Sequence, residues 1–161
     1  MKTTIINRRN AIKTVAVLGA AMTQGMRAAA AAPAPAASAK PAGENWYQGS
    51  TVTSELVRFK NIYGFELVGN LYAPAGLNRS QKHAALVISH PFGAVRQQAA
   101  LLYAQKLAEA GFVTLAFDQS YWGESGGTPR GSILPDVYTE NFSAAADYVG
   151  TLPYVDRLRI G

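Results

Sequence analysis

The residues able to do chemistry at a fixed place are few: His83, His90, Asp118 and Ser125, in a chain of 161 residues with no cysteine. His90 opens His90-Pro91-Phe92-Gly93, directly after the apolar run Leu86-Val87-Ile88 and a single serine. A buried strand followed at once by a turn and a helix holds whatever sits at its carboxyl end rigidly at a sheet edge, where α/β proteins place their ligands. Ser125 lies in Gly123-Glu124-Ser125-Gly126-Gly127, which satisfies the G-x-S-x-G pattern of a nucleophilic serine. That chemistry also requires a sharp turn directly between a buried strand and a helix. Ser125 lacks it, because Gln119-Ser120-Tyr121-Trp122 separates it from the preceding strand and Thr128-Pro129-Arg130-Gly131 follows. A loop role near the site is the expectation for it.

The constellations for metal and dinucleotide chemistry are weak. His83 and His90 are an odd number of residues apart, on opposite faces if both belong to one strand, so no shared metal is predicted. Cysteine ligands and disulfides are excluded within this segment. The Pro91-Phe92-Gly93-Ala94 loop lacks the G-x-G-x-x-G fingerprint, which makes a nicotinamide oxidoreductase the least favoured reading. No cofactor is expected.

Those residues need elements to position them. Val52 to Lys60 suits an extended strand, and a turn at Asn61-Ile62-Tyr63-Gly64 feeds Phe65 to Tyr72, giving a β-hairpin ended by Ala73-Pro74-Ala75-Gly76. Ala84 to Ser89 is the buried strand before His90. A helix from about Gln97 to Ala110 places Ala100, Ala104, Leu107 and Ala108 at helical spacing, with Gly111 as its cap. Phe112 to Phe117 is a second buried strand, and a helix from about Asp136 to Leu152 carries Tyr138, Phe142, Ala145, Val149 and Leu152 on one stripe before Pro153. Strand alternating with helix predicts an α/β fold: a β-hairpin followed by βαβα, mostly parallel. Arg157 to Gly161 reads as the opening of a further strand.

The first 39 residues read differently. A basic start (Lys2, Arg8, Arg9, Lys13) precedes a mild apolar core from Thr14 to Met22, then small-residue sites at Ala28-Ala29-Ala30 and Ala37-Ser38-Ala39. The core is shorter than the roughly 20 apolar residues of a membrane span, so no stable span is expected. Asn7-Arg8-Arg9-Asn10-Ala11-Ile12-Lys13 resembles a twin-arginine export signal, although Asn7, Ala11 and Ile12 depart from its usual pattern and leave the general secretory route open. The resemblance implies export machinery as a partner and a periplasmic or secreted location. Residues 40–49 read as a linker, and the fold starts near Trp46.

Charge excludes one function class. The chain carries +5, but residues 1–39 hold five basic and no acidic residues, leaving ten of each sign in 40–161. The basic surface that a nucleic-acid binder needs is therefore absent from the folded part.

Taken in order, Asn61-x-x-Gly64, Gly69-x-Leu71-Tyr72-x-Pro74, His90-Pro91-Phe92-Gly93, and Asp118 with Gly123-Glu124-Ser125-Gly126-Gly127 resemble the opening half of an α/β-hydrolase. The dienelactone-hydrolase-like and exported-esterase-like members are the most similar branch, and the resemblance covers about residues 50–161. It implies that the loop after the third strand gives one backbone N–H to an oxyanion hole. Phe92 falls at that donor, His90 matches the family histidine, and Pro91 replaces the usual glycine. His90, Gly93 and Asp118 are expected to support the loop. Tyr121 and Trp122 either wall a substrate pocket or cap the core.

In this family the acid and histidine follow the nucleophile, whereas both histidines here precede Ser125. No catalytic residue is therefore assigned within the 161 residues. A complete sheet of this kind needs roughly 200 to 250 residues, so the expectation is the first part of a hydrolase, stopping before its nucleophile elbow. The intact enzyme would attack an ester, lactone or amide carbonyl of a small-molecule substrate with Ser or Cys. The alternative is an exported, non-catalytic binding module on the same scaffold.

Overall fold

The structure, a computed structural model, describes residues 47–161; the expected export signal, with Arg8 and Arg9, lies outside the described residues, as does the start of the expected linker. The elements in chain order are β1 (Val52–Lys60), β2 (Glu66–Pro74), β3 (His83–Ser89), α1 (Ala99–Glu109), β4 (Val113–Phe117), α2 (Pro135–Gly150) and β5 (Val155–Ile160). They form one mixed sheet in the order β1-β2-β4-β3-β5. β1 and β4 run antiparallel to β2, whereas β4 and β5 run parallel to β3. The antiparallel share is thus larger than the sequence implied, because the hairpin joins the parallel unit through β2.

Alternation along β4 sorts the core onto two faces. Val113, Leu115 and Phe117 join Val57, Phe59, Leu67 and Leu71 beneath Ala145 and Val149 of α2. Ala116 faces the other way, with Tyr72, against Ala100, Ala104 and Ala108 of α1. Alanines let α1 sit close enough for the Thr114 hydroxyl to donate to Ala104 O at 2.9 Å. Burying side chains such as Leu115 and Phe117 contributes about 1.5–3 kcal/mol each.

Three local readings change. β2 continues through Pro74, which lies past the Gly69–Tyr72 stretch paired with β4, so its missing N–H breaks no bond on that side. α1 starts at Ala99 because Arg96 to Gln98 form turns, with Gln98 N–H donating to Val95 O. β3 is less buried than expected: only Ala85 is fully buried, while Leu86 to Ser89 are half-covered. Its outer neighbour β5 is an edge strand, whereas β4 is flanked by β2 and β3 and is buried throughout.

Candidate active site

β3 and β4 are parallel, so their carboxyl ends open at the same sheet edge, β3 into His90 and β4 into Asp118. The His90 ring bridges the two loops. Its Nε2 accepts the Gln119 backbone N–H at 3.1 Å, and its Nδ1 lies 2.9 Å from Pro91 O. An acceptor at Nε2 and a donor at Nδ1 define the neutral tautomer protonated at Nδ1.

Pro91 O also accepts the Ala94 N–H at 3.2 Å, closing a four-residue turn whose third residue, Gly93, has φ +77°. Positive φ at that place marks a type II turn and favours glycine. A trans peptide points its C=O and N–H in opposite directions. With Pro91 O held by two donors, the Phe92 N–H is aimed out of the turn, and it has no hydrogen-bond partner among the described residues.

Asp118 lies beneath this loop, fully buried. Its carboxylate accepts the Arg96 backbone N–H at 2.8 Å, the Glu124 N–H at 3.0 Å and the Arg96 guanidinium. The guanidinium is itself buried and continues to Asn70 Oδ1 at 2.9 Å and to Glu124 Oε1 at 2.8 Å. The His90 ring stands 4.0 Å from Asp118 Oδ1, too far for a hydrogen bond.

The Gly-Glu-Ser-Gly-Gly segment packs around this carboxylate. A Cβ on Gly123, at φ +49°, would lie 2.2 Å from Asp118 Cγ, and one on Gly127 would lie 2.5 Å from the Tyr121 ring. The Ser125 hydroxyl donates to Asp118 O at 2.7 Å and accepts the Val68 N–H at 2.9 Å. It is 2% exposed and followed by turns and coil, so it is tied to the sheet and unavailable to a substrate.

Beside the Phe92 turn opens a cavity of about 520 Å3 lined by His90, Pro91, Phe92, Gln119, Pro135, Tyr138, Thr139 and Phe142. Tyr121 and Trp122 are absent from its walls. Tyr121 is buried with its ring against Phe65, and the Trp122 indole N–H donates to Ser132 O at 3.1 Å. The walls come from the loops after β3 and β4 and from the first two turns of α2. Burial raises the Tyr138 hydroxyl pKa, with the bond to Trp122 opposing it. Among the described residues no group of three His, Asp or Glu side chains is arranged to hold a metal.

Several contributors were not singled out in the sequence. Arg96 sits in a loop with no local signal of burial, and its partners are 22 to 28 residues away. Asn141 had a readable signal, a carboxamide beside the apolar stripe of α2; it is fully buried and joins the carboxamides of Asn61 and Gln119, each at 2.8 Å.

Over 106 residues the chain is 56% identical to an uncharacterized protein, PA2218, of Pseudomonas aeruginosa, covering 65% of this chain and 28% of that one. The crystal structure of PA2218 superposes with a TM-score of 0.67 at 52% identity, over 70% of this chain and 35% of that one. The α/β hydrolase GrgF from a Penicillium species superposes with a TM-score of 0.60 at 26% identity, over 67% of this chain and 36% of that one. This is the α/β-hydrolase fold. A thiohydrolase of Aspergillus aculeatus, aneE, is 30% identical over 105 residues, covering 65% of this chain and 31% of that one. No protein-family model matches the chain. The chain spans about a third of the length of these relatives, and the part of the α/β-hydrolase fold it holds includes the His90 loop and the cavity beside it.

Proposed function

We propose that this chain supplies the oxyanion-binding side of a hydrolase acting on an ester, lactone or amide carbonyl, with Phe92 N–H as one of two donors. The observation that carries the reading is the Phe92 N–H itself: unpartnered, in a peptide fixed on its carbonyl side by His90 and Ala94, beside a cavity at the carboxyl edge of the sheet. When a nucleophile adds to a carbonyl, negative charge gathers on one oxygen. A preorganised N–H at that position lowers the barrier by about 3 kcal/mol.

None of the described residues has the surroundings of the attacking group. The proposed nucleophile, Ser or Cys, belongs to an elbow following β5, with its acid and histidine further along. β5 runs parallel to β3, with Gly161 N–H donating to Ala85 O at 3.0 Å, so a turn after β5 opens at the same edge as Phe92. The likeness to the α/β hydrolase GrgF and the thiohydrolase aneE supports hydrolysis as the reaction type. Export through residues 1–39 to the periplasm or medium, by the twin-arginine or the general secretory route, is part of the same proposal.

The test is to express the whole open reading frame and treat it with a fluorophosphonate, or an iodoacetamide for a cysteine, while following ester hydrolysis. Labelling and turnover together, with the Ser125→Ala variant still labelled, are the expected result. A whole protein that neither labels nor hydrolyses overturns the reading in favour of a binding module.

A further inference from the structure

The cavity beside Phe92 has an unusual electrical character. No Asp, Glu, Lys or Arg lines it, and the polar side chains in its wall are turned back into the protein. The Thr139 hydroxyl donates to Pro135 O at 3.0 Å, and the Tyr138 hydroxyl to Ser132 O at 3.2 Å. The two ends of the Gln119 carboxamide are held by Ser89 Oγ at 3.0 Å and Asn141 at 2.8 Å. Both nitrogens of His90 are engaged as well. What the cavity offers a ligand is carbon, from Pro91, Phe92, Pro135, Tyr138 and Phe142, together with the single N–H of Phe92.

Two of these rings are more exposed than large apolar groups ordinarily are: Phe92 is 65% and Phe142 43% accessible. The Phe92 ring leans on Tyr138, with centroids 5.5 Å apart and planes at 41°, which leaves an open aromatic wall. The volume, about 520 Å3, lies within the range of small-molecule sites.

We infer that this cavity binds the uncharged, apolar carbon group of a carbonyl compound, a phenyl or branched alkyl group, and rejects an ionised one. An apolar group entering it exchanges water contact for ring and proline contact, which is favourable in proportion to the area covered. An ionised group loses hydration and finds no counter-charge in the wall, whose one free polar hydrogen, the Phe92 N–H, replaces only a small part of that hydration. The inference rests on the hydrolase reading only for the ligand carrying a carbonyl; the preference for neutral carbon follows from the wall alone.

The experiment compares two isosteric ligands on the whole protein, 4-phenyl-2-butanone and 3-phenylpropionate at pH 7.5, by amide chemical-shift titration. The ketone should bind at least tenfold more tightly than the anion, with the largest shifts at Phe92, Tyr138 and Phe142. Phe142→Lys should reduce or invert that ratio while Phe142→Leu keeps it, and thermal melting of both variants checks that they are folded. Equal or tighter binding of the anion, shifts elsewhere, or binding of neither ligand overturns the inference. Binding is read without turnover. A protein that prefers the ketone but hydrolyses nothing defeats the hydrolase reading alone, and one that hydrolyses esters without this preference defeats the inference alone.

Discussion

The imidazole of His90 accepts the backbone N–H of Gln119 at 3.1 Å, so the two loops at the carboxyl edge of β3 and β4 are joined through one neutral ring. The other ring nitrogen holds Pro91 O, whose peptide carries the Phe92 N–H. Nitrogen-15 spectra of the imidazole should show Nδ1 protonated and Nε2 bare. His90→Ala removes two hydrogen bonds, each worth about 1 kcal/mol. Its signature should be a lower kcat with little change in KM, because the donor it orients acts mainly on the transition state.

Asp118 and Arg96 form a buried ion pair, each at most 3% exposed, that fastens the Phe92 loop to the end of β4. Removing Arg96 strands the Asp118 carboxylate away from water, at a cost of about 3–5 kcal/mol, and removing Asp118 leaves the buried guanidinium with only the half-exposed Glu124 as counter-charge. Asp118→Asn and Arg96→Met should each lower the urea midpoint strongly. The double variant should lose clearly less than the two single losses added together.

Ser125 offers a direct contrast between pattern and geometry. Ser125→Ala leaves the buried Val68 N–H without its acceptor and should destabilise by about 1–3 kcal/mol, while kcat per folded molecule stays at the parent value. Gly123→Ala places a methyl against the Asp118 carboxylate and should reduce stability further than Ser125→Ala, measured by chemical denaturation.

Alkaline pH acts through tyrosine. Burial raises the hydroxyl pKa of Tyr72, Tyr138, Tyr148 and Tyr154 above the ordinary value of 10.0. Below pH 10 these groups are neutral in both folded and unfolded chains, so the stability they contribute is fully present. As pH rises past the unfolded value, the unfolded chain ionises first, and stability falls through the higher folded values. Absorbance at 295 nm should therefore show these four titrating later than free tyrosine, with unfolding accompanying their ionisation.

Much of this organisation was legible in the residues. The apolar run of Phe112 to Phe117 and the alanine spacing of α1 marked a buried strand and a helix, because buried runs and helical periods follow directly from burial. The extent of antiparallel pairing was less legible, since the β2–β4 contact joins segments more than forty residues apart and leaves no local pattern. The cavity was hidden for a similar reason. Part of its wall comes from Tyr138 and Phe142, which read as core stripe, and Phe142 is 43% exposed where it lines the cavity. Tyr121 and Trp122 were the more visible aromatics, yet neither lines this cavity, and Tyr121 sits at φ +74° against Gly127.

The most direct measurement is kcat of the whole protein on a neutral aryl ester, comparing Phe92→Pro with Phe92→Ala. Proline is favoured at the second position of a type II turn, so the first change deletes the N–H while suiting the backbone, whereas alanine deletes the ring and keeps the N–H. The account predicts a fall in kcat of about 10²-fold or more for Phe92→Pro, and less than about tenfold for Phe92→Ala. Parent-level kcat in a folded Phe92→Pro protein would contradict it.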